Sequence, residues 1–348
     1  MREIVLVGDV GGTNTRLGLL ADNTVIPSRV MTYRNSDYSS LYNVISHYLQ
    51  KTDEYSCGQI CLALAAPIVG QTVALTNCDW VIDAQKLRQT TGAKTVRLIN
   101  DLEALAWSLD RLPTSSIAPV ATGKTQRNPM GGRLVIGAGT GFNAASLISA
   151  PQTGVLSAEC GHMTLPVQTD QDLRLRDHLA QGRGRASVER ALSGQGLCEV
   201  YQWAAAQAGQ RSENLTADQI TDRALHGSDA ACVHAAETVL RLLATVAGDL
   251  ALAYLPHGGI FLAGSVCRAL MPMMAQGGFV KAFCAKGRQT DLMQSFSIDL
   301  ITDDAAALIG CAALARRQMN FIAEPTEWRT LHLCAAKLMK FRLRSRAC

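Results

Sequence analysis

The chain has 348 residues, of which 48% are hydrophobic and 18% charged, with a net charge of +4. That length suits about two domains, and the composition is that of a soluble globular protein able to bury a real core. The positive excess sits at the end: from Arg316 onward there are eight Lys or Arg against two Asp or Glu, which leaves the rest near −2 and excludes a general affinity for nucleic acid.

The eleven cysteines are an odd number without a CxxC pair. They read as reduced, packed thiols of a cytoplasmic protein, and a structural zinc site is not expected. The first apolar run stops at Asp9, so no secretory leader is expected. The apolar stretch 239–255 is interrupted by Arg241 and Asp249 and reads as a buried core helix, so no membrane association is expected.

Residues 4–7 read as a strand that enters the turn Gly8-Asp9-Val10-Gly11-Gly12-Thr13-Asn14, and residues 16–20 form a second β-like run. A Rossmann or Walker loop would open into a helix instead. Adjacent glycines let backbone N–H groups converge as an anion nest, and Thr13 and Asn14 add donors. Asp9 stands where a carboxylate can hold a Mg²⁺ that bridges phosphates. Taken alone, the motif reads first as a plain glycine hairpin, because short glycine motifs recur without function.

A further strand is expected over 25–33. A helix is expected over 38–50, with Leu41, Val44, Ile45, Tyr48 and Leu49 on one face, and a buried parallel strand over 59–65. Residues 73–75 and 80–82 flank a polar loop holding Thr76 and Asn77, and Asp83 caps a short helix through Leu87. The strand 95–99 ends in Asn100-Asp101 before a helix over 102–109. Asp101 is placed either as a general base beside the phosphate turn or as the cap of that helix. The polar segment 113–132 reads as a linker between halves.

A second copy of the hairpin follows. Residues 133–136 lead into Gly137-Ala138-Gly139-Thr140-Gly141-Phe142-Asn143 and then the apolar run 144–148. Two equivalent glycine hairpins suggest an internal duplication whose halves grip one polyphosphate. Residues 157–165 carry Glu159 and His162, a solvated turn or half of a metal site when read alone. A charged helix is expected over 170–181. The Gly182-Arg183-Gly184-Arg185 loop after it is expected to be solvated, and Ser187 to cap a helix whose first turn holds Glu189. Helices run to Leu255. A strand then enters the turn Gly264-Ser265, residues 299–302 form a last strand, and 305–317 a small-residue helix. The basic tail 318–348 reads as a solvated end.

Taken together, the motifs Val7-Gly8-Asp9-Val10-Gly11-Gly12-Thr13-Asn14, Thr76-Asn77, Ile99-Asn100-Asp101, Gly137-Ala138-Gly139-Thr140-Gly141, Glu159-Cys160-Gly161-His162, Glu189-Arg190-Ala191-Leu192-Ser193-Gly194 and Phe261-Leu262-Ala263-Gly264 resemble the bacterial glucokinase family. The type is the proteobacterial, zinc-free one, within the actin-like ATPase and sugar kinase superfamily. The resemblance covers residues 1 to about 317. It implies the two-domain actin-like (ribonuclease H-like) α/β sugar kinase fold with an interdomain cleft. The small domain would span 1–113, completed by the helix 303–317, and the large domain 114–302. It implies ATP and Mg²⁺ as cofactors, glucose or a related hexose as partner, and a cytoplasmic homodimer. Asp101 would be the base on the sugar 6-hydroxyl. Asn100, Asp101, Glu159, His162, Glu189, Thr76 and Asn77 would bind sugar. Gly8, Asp9, Gly11, Gly12, Thr13, Asn14, Gly137, Gly139, Thr140, Gly141 and Gly264 would hold the nucleotide, with Asp9 near the metal. A kinase for another hexose, or a sugar-sensing pseudokinase, are the alternatives. The chain departs from the usual pattern at Ser157-Ala158 and Cys160 beside the sugar. It also departs at Phe142-Asn143 and Ser265 beside the nucleotide, where Asn143 and Ser265 are expected to add bulk.

Overall fold

The computed structural model describes residues 4–21, 24–52, 57–76, 78–149 and 153–323. Strand β1 (Val5–Val10) turns back on β2 (Asn14–Ala21) as an antiparallel hairpin. β3 (Thr24–Val25) and β4 (Met31–Arg34) both pair with β2. The single strand expected over 25–33 is thus two short ones. Pro27 opens a 3₁₀ turn, Pro27–Arg29, between them, because its ring fixes φ and removes a ladder donor. Helix α1 (Leu41–Lys51) is capped by Ser40 and buries Leu41, Val44, Ile45, Tyr48 and Leu49. β5 (Gln59–Leu64) is wholly buried and parallel to β1. β6 (Thr72–Ala74) and β7 (Val81–Asp83) make a separate two-stranded sheet.

Asp83 caps α2 (Ala84–Thr91), receiving Lys86 N–H at 2.8 Å. The helix outruns the expected end at Leu87 and stops at Gly92, whose φ of 75° suits glycine. β8 (Thr95–Asn100) lies parallel to β5 and runs straight into α3 (Asp101–Ser108).

The segment expected as a linker holds β9 (Ile117–Ala121), an edge strand of the second sheet. Pro119 is tolerated there because an edge strand leaves one side unpaired. β10 (Arg133–Ala138), β11 (Phe142–Ile148) and β12 (Gly154–Ser157) form an antiparallel meander. Helices α4 (Asp170–Ala180), α5 (Gly194–Gln207), α6 (Ala217–Leu225) and α7 (Ala230–Tyr254) follow. β13 (Gly259–Ala263) leads into α8 (Ser265–Met274), α9 (Gly278–Cys284) and α10 (Thr290–Met293). β14 (Ile298–Ile301) and α11 (Ala306–Ala323) close the described chain.

The two main sheets run β3-β2-β1-β5-β8 and β12-β11-β10-β13-β14-β9. Each has an antiparallel three-stranded edge followed by two parallel strands, the repeat foreshadowed by the paired hairpins. Alternation along the strands sorts their side chains. On β1, Leu6 and Val10 face one core with α1 and α2, while Val5 and Val7 face another with α3 and α11. This second cluster also takes Val135, Ala145, Leu147, Phe261 and Ile301, so α3 and α11 fill the space between the sheets. The two helices touch backbone to backbone at Gly310 and Ala104, where a Cβ would collide. Helix α7 is long and apolar enough to cross a membrane, yet 72% of its apolar window is buried inside the protein. Every described cysteine is a free thiol.

Candidate active site

The carboxyl ends of β1, β8, β13 and β14 converge on a cavity of about 210 Å³. Asp9, near the end of β1, and Asp101, the first residue of α3, both line it. Arg16, Arg268, Asp303 and Asp304 complete its charged wall. Arg268 pairs with Asp304 at 2.8 Å, and Arg16 donates to the Asp304 carbonyl. Burial pushes the Asp101 carboxyl up to about 7, and the neighbouring charges of Asp9 and, less strongly, Glu159 add to the shift. A hydrogen bond from Leu102 N–H at 2.9 Å opposes it. Burial likewise pushes Asp9 up to about 6, while Arg16 pulls it down and Asp304 pushes it up.

Asn100, not Asp101, is the cap of α3: its Oδ1 accepts Leu102 N–H at 2.9 Å. The capping alternative for Asp101 is thereby replaced. Asn100 is buried, and its Nδ2 donates to Ala66 O at 3.3 Å.

The first glycine turn is closed by Gly11 N–H on Asn14 O at 3.0 Å, and Thr13 and Asn14 stand exposed on it. Asn35 supports the turn from below. Its Nδ2 donates to Gly11 O at 2.8 Å and Gly12 O at 3.1 Å, and its Oδ1 accepts the Thr15 hydroxyl at 2.8 Å. Asn35 thus engages the carbonyls on one side of the turn. Sequence reasoning missed Asn35; it lies in no motif and acts across 24 residues. Gly8 sits inside β1, where a Cβ would meet Leu62 Cδ2 at 2.6 Å, so packing demands its glycine.

In the second turn Gly139 N–H donates to Gly141 O at 2.9 Å, and Gly139 O accepts Gly194 N–H at 2.7 Å. Thr140 is exposed on it. Gly137 packs on Leu102. Gly264 has a φ of 96° and lies against the Ala138 carbonyl, so the turn into α8 needs glycine there. Ser265 Oγ stands 3.6 Å from the place a Cβ on Gly139 would occupy.

Glu159 and His162 flank a 3₁₀ turn, Cys160–His162, and both are exposed. Glu189 lies in the 3₁₀ turn Val188–Arg190, for which Ser187 provides no cap bond. Its Oε2 accepts Phe142 N–H at 2.9 Å, beside the second glycine turn. Asn143 does not crowd the nucleotide turn as expected, because its side chain bonds to Cys160 N–H. The Arg183 and Arg185 loop is not simply solvated. Arg183 pairs with Glu199 at 3.1 Å, and Arg185 donates to His162 O at 2.6 Å. Thr76 is exposed on the loop between β6 and β7; Asn77 lies outside the described residues.

Among the described residues no three His, Cys, Asp or Glu gather as a metal cage. A single desolvated carboxylate such as Asp9 suits an ion that keeps waters and shares a phosphate.

The sequence profile of the glucokinase family matches residues 6–318. The chain belongs to the glucokinase family. It is 33% identical to the glucokinase of Yersinia enterocolitica over 93% of this chain and 100% of that one. Against a Caulobacter glucokinase it is 34% identical, over 88% and 93%. The crystal structure of a glucokinase from an Antarctic psychrotroph superposes with a TM-score of 0.78 at 31% identity, covering 91% of this chain and all of that one. The chain has the two-domain actin-like kinase fold.

Proposed function

We propose that this chain transfers the γ-phosphoryl group of ATP to the 6-hydroxyl of glucose, giving glucose 6-phosphate and ADP. The single observation that carries the chemistry is Asp101. Its carboxyl lies at a helix start, in a cavity bordered by Asp9 and the turn at Gly264, with a proton affinity near neutrality. Such a group is tuned to take a proton from an alcohol at physiological pH. Family membership supports the substrate.

On this reading residues 1–113, completed by the segment 303–317 whose helical part belongs to α11, form one lobe and 114–302 the other, with the cleft between. The N–H groups of Gly11 and Gly139 close the two turns, and the backbone N–H groups of Gly12 and Gly141, with the hydroxyls of Thr13 and Thr140, hold the phosphates from both sides. Gly264 lets the start of α8 approach the nucleoside. Asp9 would hold a Mg²⁺ ion, which would supply neutralisation of phosphate charge. Asn100, Glu159, His162 and Glu189 take the sugar hydroxyls, each of which offers a donor and an acceptor. Asp101 removes the 6-hydroxyl proton as that oxygen approaches the γ-phosphorus in line.

The test is ADP release from ATP·Mg with a panel of hexoses, using the natural protein and Asp101→Asn. Turnover with glucose that drops about 10²–10⁴-fold in kcat in the variant is the expected result. Turnover with a different hexose alone moves the specificity and keeps the base. No turnover with any hexose overturns the proposal.

A further inference from the structure

The dipeptide Phe142-Asn143 opens β11 immediately after the second glycine turn, and it ties that turn to two other parts of the site. Phe142 N–H donates to Glu189 Oε2 at 2.9 Å, and its carbonyl lies against Gly161, where any Cβ would collide. Asn143 Oδ1 accepts Ala144 N–H at 2.8 Å and, from 17 residues away, Cys160 N–H at 3.0 Å. Both partners are N–H donors, so the oxygen of the carboxamide is the atom that faces them.

Strand pairing fixes the face on which Asn143 lies. It pairs with Gly137 across the ladder of β10 and β11, and directly paired residues project to the same side. A Cβ on Gly137 would stand 2.9 Å from Leu102 Cδ1. Ala145 and Leu147, further along the same face, cluster with Leu102 and Trp107. Asn143 therefore projects toward α3, the helix that begins with Asp101, and from there reaches the loop of Glu159 and His162.

That loop is held at both ends. Val188 N–H on Met163 O at 2.9 Å and Arg185 on His162 O secure the His162 end. Asn143 secures the Glu159 end. Cys160 is buried, so its N–H would have no water to turn to if the acceptor were lost, and the loop would have to shift.

We propose that Asn143 is a positioning residue for sugar binding: its side-chain oxygen pins the loop Glu159-Cys160-Gly161-His162 to the second phosphate turn. This rests on the sugar role proposed above for Glu159 and His162. A lever of this kind acts on the sugar and leaves the nucleotide alone, which a general loss of stability would not do.

The experiment compares the natural protein with Asn143→Leu, which keeps the size but has no acceptor, and Asn143→Asp, which keeps the acceptor. The readouts are the KM for glucose, the KM for ATP, and equilibrium glucose binding followed by tryptophan fluorescence. The Leu variant is expected to weaken glucose about tenfold in both KM and Kd, the scale of one lost hydrogen bond, with the KM for ATP within about twofold. The Asp variant is expected to bring glucose back to within about threefold of the natural value. If the Leu variant does not fold, Asn143→Ala carries the same expectations. The proposal is overturned by an unchanged glucose KM in the Leu variant, by equal losses for glucose and ATP, or by an Asp variant as weak as the Leu one. Natural protein that turns over no hexose overturns the proposed function and this inference with it. Natural turnover beside an unaffected Leu variant overturns the inference alone.

Discussion

Burial first, and then the charge of Asp9 beside it, sets the proton affinity of Asp101. Removed from water and placed beside Asp9, its carboxyl holds a proton up to about pH 7 instead of releasing it at the ordinary 3.8. The activity should follow that group. At subsaturating glucose and ATP, kcat/KM should be flat above about pH 7 and fall about tenfold per unit below it, more steeply once Asp9 also protonates near 6. A pH–rate profile without that acid limb would remove Asp101 as the base. The same shift has a sign for stability. The folded protein binds this proton more tightly than the unfolded chain does, so the ionised carboxyl costs stability. The cost is absent below about pH 4, grows as the pH rises to about 7, and is constant above. Asp101→Asn removes it. The variant should melt several degrees above the natural protein at pH 8, a gain on the order of a few kcal/mol at most, and show no such gain at pH 4. Asp9 and Asp101 were legible in the sequence because each sits beside a short local motif. Asn35 was not, because it acts by side-chain bonds to backbone groups 23 and 24 residues away and nothing next to it in the chain announces them. Asn143 stood out beside the second glycine turn, but its bond to Cys160 N–H, 17 residues on, was not legible.

Helices and strands were legible where hydrophobic period and end signals agreed. The amphipathic face of α1 and the Asp83 cap of α2 are of this kind. They were misread where proline entered a sheet. Pro27 split one expected strand, and Pro119 hid the edge strand β9 inside a polar segment. On the proposed reading the turn between β1 and β2 is a phosphate turn, and one internal bond, Gly11 N–H on Asn14 O, closes it. Asn35 supports it from β4's end. Asn35→Ala should leave Gly11 O, Gly12 O and the Thr15 hydroxyl without their partner, lowering stability by about 1–3 kcal/mol. Because the loosened element is the phosphate turn, the KM for ATP should rise several-fold while that for glucose changes little. Denaturant melts and two-substrate kinetics check both halves; equal changes in the two KM values would show that the turn is not what Asn35 supports.

At the scale of the whole molecule, the glycine hairpins announced a repeat, and the two sheets share the strand order that such a repeat requires. Helix α11 comes from the far end of the chain yet packs on α3, β1 and β5, and Cys311 Sγ reaches Gly8 O at 3.6 Å across 303 residues. This has a consequence for synthesis. Gly8 of the first hairpin leaves the ribosome 303 residues ahead of Cys311 in the helix that packs behind it. Until translation has passed residue 311 and that helix has emerged, the apolar rear of β1 and β5 stays bare. The nascent first half must then wait, exposed to chaperones and proteases, for its own C-terminal neighbour.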